Sequence, residues 1–209
     1  MATTTLIVIR HGETFWNREQ RIQGHLNSEL TPEGIAQAEA CAARLMDEHI
    51  DVVVASDLDR VQHTAEILVG GRALPMARDV SLRERCFGIG EGMTYAEMDA
   101  RYPQMFTTNG LVDAEFTLPK GESRALFHQR IKKSIEGIST VYAGKRVLVV
   151  THGGVLGVIY RWLNNLQVGS QKIAIPNVGY NRISTSADGW KIEIWGDTSH
   201  LEVDTFEAG

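Results

Sequence analysis

Apolar residues in this chain gather in two kinds of pattern. Residues 6–9 (Leu-Ile-Val-Ile) and 147–150 (Val-Leu-Val-Val) are continuous, strand-length runs, as expected of strands covered on both faces. "DVVVAS" at 51–56 reads the same way. Between these runs the apolar spacing changes to three and four. Thr31 and Pro32 suit the cap and first turn of a helix, and Ile35, Ala38, Ala42, Leu45 and His49 then mark its inward face. A second helix is expected from Arg60 through "RVQHTAEIL". A third starts near Glu122, with Phe127, Ile131, Ile135, Ile138 and Tyr142 on one face.

This alternation predicts an α/β fold: a three-layer α/β/α sandwich with a mostly parallel central sheet. With 209 residues, no repeat and no low-complexity tract, the chain reads as one domain over 1–209. Residues 88–121, rich in Gly, Pro and polar side chains around "TYAEMDARY", read as a small helical and loop insertion capping the site. Asp188-Gly189, between "NRISTS" and "WKIEIW", has hairpin-turn chemistry.

Composition narrows the function. A content of 43% hydrophobic and 22% charged residues is that of a folded globular protein. A net charge of −5 argues against a nucleic-acid partner, since phosphate backbones select basic faces. The apolar runs are too short to span a membrane, and the opening residues lack the basic start of a secretion signal. Cys41 and Cys86, without metal-type spacing, fit a reducing cytoplasm. A cytoplasmic protein is therefore expected, with homo-oligomerisation left open. Arg10, Arg18, Arg21, Arg60, Arg83 and Arg85 lie near the short motifs, which keeps a small anionic substrate in view.

Two of the seven histidines stand apart. His11 and His152 each follow a buried strand and precede a glycine, and the carboxyl ends of strands are where open α/β sheets bind ligands. The other five read as structural or surface residues. Zinc would need a third ligand; Glu13 is near in sequence, but Arg10 beside it would repel a dication. Arginines match a phosphoryl group instead, through bidentate contacts. Hydrolysis of a phosphate monoester can demand a ~10²¹-fold acceleration, about 28 kcal/mol. General acid–base help supplies only ~10²–10⁴ of that. A covalent nucleophile with fixed positive charge is the natural combination. Arg10 offers one fork, and Arg60, at a helix start with free N–H groups, offers another. Glu84, between Arg83 and Arg85, is the candidate proton donor, with a surface carboxylate as its plain alternative.

"RHGETFWN" at 10–17, "LTPEG" at 30–34, "SDLDR" at 56–60, "LRERCFGIGEG" at 82–92 and "THGG" at 151–154 together resemble the histidine phosphatase superfamily, the phosphoglycerate mutase-like group. Their order and spacing agree from residue 6 to the "HL" at 200–201. The resemblance implies that His11 is a nucleophile forming a phosphohistidine. It implies that Arg10, Arg60 and His152 hold phosphoryl oxygens, with Asn17 and the Gly153 amide nearby, and that Gln23 and Gly24 line the pocket. Glu84 would be the general acid, then the base on incoming water. No metal or cofactor is implied, and the partner is a small phosphorylated metabolite.

The chain departs from the family pattern at His63, where Gln is usual; at Gly90, in place of Trp; and at Asn27 and Glu29, in place of Asp and Pro. A smaller pocket wall is expected at Gly90. The compact region after Glu84 and the wording "FGIGEG" resemble the phosphatase branch. The alternatives are a phosphoglycerate mutase primed by 2,3-bisphosphoglycerate, and a phosphate-binding module without catalysis. "VVVASDLDRV" at 52–61 also resembles the Asp-x-Asp element of haloacid dehalogenase-type phosphatases, with Asp57 as nucleophile, Asp59 as acid and Mg²⁺ as a requirement. A Cys-x₅-Arg reading fails, because Gly92 and Asp47 stand where arginine is needed.

Overall fold

The computed structural model describes residues 2–105, 113–170 and 173–201. In chain order its main elements are β1 (Thr4–Arg10), α1 (Phe15–Arg18), α2 (Pro32–Arg44), β2 (Val52–Ala55), α3 (Asp59–Val69), β3 (Met76–Arg78), α4 (Tyr95–Arg101), α5 (Arg124–Val141), β4 (Arg146–Thr151), α6 (Gly153–Leu163), β5 (Tyr180–Ser186) and β6 (Gly189–Asp197).

The six strands form one sheet in the order β3-β2-β4-β1-β5-β6. β3, β2, β4 and β1 are mutually parallel. β5 runs against β1, and β6 reverses again, so only β5 opposes the rest. Successive side chains of a strand face opposite sides, and both sides of β1 are apolar. Leu6 and Val8, with Val147 and Val149, pack under Phe127, Ile131 and Ile135 of α5 and Leu156 and Ile159 of α6. Ile7 and Ile9, with Leu148 and Val150, pack under Ala38 and Cys41 of α2 and Val61, Ala65 and Leu68 of α3. That is the expected three-layer α/β/α sandwich. Burial of each large aliphatic side chain contributes roughly 1.5–3 kcal/mol.

Thr31 caps α2, its side chain accepting from the Gly34 amide at 2.9 Å, and Pro32 occupies the first turn. The helix stops at Arg44, however. His49 lies beyond it and meets Asp51 at 3.1 Å on the surface rather than continuing the inward face. β3 has no counterpart in the sequence reading, because a three-residue edge strand with mostly exposed side chains leaves no apolar run. Asp188-Gly189 turns the β5–β6 hairpin, with Gly189 at φ +98°.

Within residues 88–121, a short 3-10 turn at Gly88–Gly90, α4 and a second turn at Pro103–Met105 are described. Met98 and Leu118 join Ile22, from the loop after α1, in a small apolar cluster apart from the two main cores. The expected smaller wall at Gly90 is not an empty space. A Cβ there would collide with Met98 and Leu118, which already fill the position.

Candidate active site

β1 and β4 are paired in register, Arg10 opposite Thr151. The next residue of each chain is a histidine, and the His11 amide donates to the Thr151 carbonyl at 2.9 Å. Sheet pairing alone thus brings the two imidazoles together, with ring centroids 5.5 Å apart and planes at 67°. Both rings are buried, at 3% and 0% exposure.

Their hydrogen bonds fix which nitrogen is which. His11 Nδ1 lies 2.7 Å from the Gly12 carbonyl oxygen. A carbonyl only accepts, so Nδ1 carries the proton and Nε2 keeps its lone pair. His152 Nδ1 faces a guanidinium nitrogen of Arg60 at 3.2 Å, which only donates. Its Nε2–H therefore meets Ser56 Oγ at 2.9 Å. Burial holds the His11 pKa well below the ordinary histidine value, and the charges of Arg60 and Arg10 push it the same way. His152 is held well down for the same first reason, then by Arg60 and His11. A neutral imidazole with an unprotonated Nε2 is a nucleophile.

Arg60, in the first turn of α3, is 2% exposed. Its guanidinium donates to the carbonyls of Leu26 and Gly24, each at 2.8 Å, and burial brings its pKa down to about 10. Arg10 donates to the Ile175 carbonyl at 2.6 Å. The Nε of each arginine is buried without a partner among the described residues. Orphaned buried donors are uncommon in proteins, and two beside one imidazole point to an anion.

Glu84 reaches the same place from the loop before the insertion. Its carboxylate accepts from the Gly154 amide at 2.8 Å and from the Arg85 amide at 2.8 Å. Gly153 and Gly154 open α6 directly after His152, so the helix N-terminus faces this cluster. Tyr95 of α4 adds a hydroxyl whose pKa is raised by burial and by Glu84, against the opposing pull of Arg10.

The remaining sequence candidates fall into supporting places. Asn17 completes the capping box of α1, its Oδ1 accepting from the Thr14 amide at 3.2 Å and from Asn177 Nδ2 at 3.4 Å. Gly24 acts through its carbonyl on Arg60. Gln23 is buried, with its Oε1 unpartnered among the described residues. Asp57, the rival nucleophile, is engaged by Arg83 through both oxygens at 2.7 and 2.5 Å, and that pairing lowers its pKa. No group of three His, Cys, Asp or Glu among the described residues is arranged to hold a metal ion.

Sequence reasoning missed four neighbours. Ser56 ends the second apolar run and opens the quoted "SDLDR", but is given no role there. Asn177 donates to the His11 carbonyl at 2.8 Å from a loop without any motif. His25, assigned to structure or surface, places Nε2 3.0 Å from the Glu84 carbonyl oxygen. Glu91 accepts from the amides of His25, Leu26 and Phe87, tying the loop that binds Arg60 to the segment that follows Glu84. Ser56 and Glu91, inside the quoted "SDLDR" and "GIGEG", carry a signal; Asn177 and His25 do not.

Comparison with known proteins gives this constellation its family. The sequence profile of the histidine phosphatase superfamily (branch 1) matches residues 6–198. The chain belongs to that superfamily. It is 37% identical over 201 residues to phosphoglycerate mutase-like protein 4 of Arabidopsis thaliana, covering 94% of this chain and 86% of that one. Among solved structures, Bacillus stearothermophilus YhfR superposes with a TM-score of 0.88 at 31% identity, covering 95% of this chain and 100% of the other. A phosphoserine phosphatase from Entamoeba histolytica, in complex with phosphoserine, superposes with a TM-score of 0.82 at 26% identity, covering 95% and 100%. This histidine phosphatase superfamily member is an enzyme, and its relatives include both phosphatases and mutases. Among its described residues no helix is long and apolar enough to cross a membrane.

Proposed function

We propose that this protein hydrolyses small phosphomonoesters without a metal ion, through a phosphohistidine on His11. The observation that carries this reading is the buried His11 imidazole, with Nδ1 tied to the Gly12 carbonyl and, among the described residues, no partner on Nε2 or on the Nε donors of Arg10 and Arg60. In the first step the Nε2 lone pair attacks phosphorus and the ester P–O bond breaks. Protonated Glu84 gives its proton to the leaving oxygen. In the second, the Glu84 carboxylate takes a proton from water, the water oxygen attacks phosphorus, the P–N bond breaks and phosphate departs. Arg10 and Arg60 stabilise the charge on the equatorial oxygens in a site sheltered from water. His152, the Asn17 side chain and the Gly153 amide complete the cradle, while Gly24 holds Arg60 and Gln23 lines the approach.

The chain works as one unit, with residues 88–121 capping the site; Tyr95 beside Glu84 and Arg10 supports that placement. A cytoplasmic setting is supported by Cys41 and Cys86, both unpaired thiols.

The test is phosphate release from a panel of phosphomonoesters in excess EDTA, by wild type and His11→Ala. Isomerisation of 3-phosphoglycerate is followed in parallel, with and without 2,3-bisphosphoglycerate. EDTA-resistant release that disappears in His11→Ala is expected. Isomerisation faster than release would make the enzyme a mutase, the reading favoured by the Arabidopsis relative's name. Activity lost to EDTA but surviving His11→Ala would overturn the phosphohistidine mechanism.

A further inference from the structure

A cavity of about 90 Å³ has Glu84 in its wall and is lined by Arg85, Arg124, His128 and Arg161, with the rings of Phe87 and Phe127. At a water's liquid share of roughly 30 Å³ this is room for a carboxylate or a single phosphate group. Three guanidiniums in so small a space repel one another. Burial first, then the charge of Arg161, lowers the Arg124 pKa, and burial, then Arg124, lowers that of Arg85, with Glu84 pulling both the other way. No carboxylate among the described residues forms an ion pair with Arg85 or Arg124. Arg85 spends its Nε on the Glu122 carbonyl at 2.9 Å and its face on the Phe87 ring at 4.8 Å. Arg161 is held by the carbonyls of Gly157 at 3.0 Å and Ser170 at 3.3 Å.

Arg124 is the telling member. Its side chain makes no hydrogen bond to any described residue, and its Nε is buried without a partner among them. It is also the first residue of α5, whose opening turn contains no acidic side chain. A cation there opposes the helix dipole. Glu84, at the edge of the cavity, offsets part of this positive charge without forming an ion pair with Arg124, and an anion in the cavity would draw on the remainder.

We infer that this cavity is a second anion subsite, so that the natural substrate is a phosphomonoester whose leaving group carries another compact anion, a carboxylate or a second phosphate. The inference rests on the phosphatase reading above, because it places the leaving group on the Glu84 side of the scissile bond. Glu84 would protonate the ester oxygen while Arg124 and Arg161 grip the far end of the same molecule.

The experiment compares matched esters on the intact enzyme. 3-Phosphoglycerate against glycerol 3-phosphate isolates a carboxylate; fructose 1,6-bisphosphate against fructose 6-phosphate isolates a second phosphate. kcat/KM should favour the dianionic-site member of at least one pair by roughly tenfold to hundredfold, the worth of hydrogen bonds to a charged group. Arg124→Gln should collapse that ratio, chiefly through KM, and Arg124→Lys should restore part of it. Lys133→Gln, an exposed charge elsewhere on α5, should leave the ratio intact. Because Arg124 opposes the helix dipole, Arg124→Gln should melt no earlier than wild type. Ratios within twofold in wild type for both pairs, or an Arg124→Gln effect equal on both members, would overturn the subsite while phosphate release itself continued. Loss of all phosphate release in wild type would instead indict the phosphatase reading.

Discussion

The backbone N–H of Gly154 donates to Glu84 Oε2 at 2.8 Å, and a Cβ at position 154 would collide with that carboxylate. The glycine after "HG" is therefore a constraint on the acid rather than a flexible hinge. It lets the first turn of α6 come close enough for its amide to aim Glu84.

Gly154→Ala should displace Glu84 without touching His11. General acid catalysis is worth ~10²–10⁴, so Glu84→Gln sets the upper limit and Gly154→Ala should lose at least tenfold in kcat on alkyl phosphates. On p-nitrophenyl phosphate, whose leaving group needs little protonation, both losses should shrink by an order of magnitude. Equal losses on the two ester types would mean that Glu84 is not the proton donor.

Ser56 holds the far nitrogen of His152 at 2.9 Å in a fully buried setting. A hydroxyl can accept from Nε2–H or donate to Nε2, so it serves either tautomer of that ring. Ser56→Ala would strand a buried donor, at about 1–3 kcal/mol of stability. It should also weaken binding of inorganic phosphate, read as a smaller thermal shift at fixed phosphate concentration. An unchanged shift in a destabilised protein would confine Ser56 to packing.

How much of this was legible in the sequence depended on whether position followed from the chain's own periodicity. His11 and His152 were readable because each ends a continuous apolar run, and parallel pairing of two such strands aligns their ends. Arg60 was readable from its place where a strand gives way to a helix. Asn177 and His25 were not, since they reach the site from loops whose course is set by distant contacts rather than local pattern. The Arg124 pocket was hidden for a similar reason: α5 and α6 converge on it only after both pack over the sheet. Gly90 shows the opposite error, where a missing side chain suggested space that Met98 and Leu118 occupy.

Asp57 and its Arg83 partner stand as a partly exposed pair, with 20% and 31% of their side chains accessible, outside the imidazole cluster. Asp57→Asn should keep phosphate release within about threefold of wild type and EDTA-resistant. Its stability cost should stay near 0.2–1 kcal/mol, the range for solvent-accessible ion pairs. A drop of several orders of magnitude would restore the aspartate-nucleophile mechanism.

Acid should destabilise this fold through its two buried imidazoles. An unfolded histidine takes up a proton near pH 6.5, whereas folded His11 and His152 are held well below that by burial first and by neighbouring arginine charge. Above the unfolded value both states are neutral and neither ring adds a slope. As pH falls below it the unfolded chain binds the extra protons, so stability declines by up to ~1.4 kcal/mol per pH unit for each ring. Carboxylates held low by arginines, such as Asp57 with Arg83 and Asp197 with Arg44, act only near and below their own unfolded values around pH 4. The window between pH 5 and 6.5 therefore belongs to histidine. Urea midpoints across that window should fall less steeply in His152→Asn than in wild type, while the two curves run parallel above pH 7. Parallel curves throughout would mean that His152 is protonated in the folded enzyme, and its Nδ1 would then have to donate rather than accept beside Arg60.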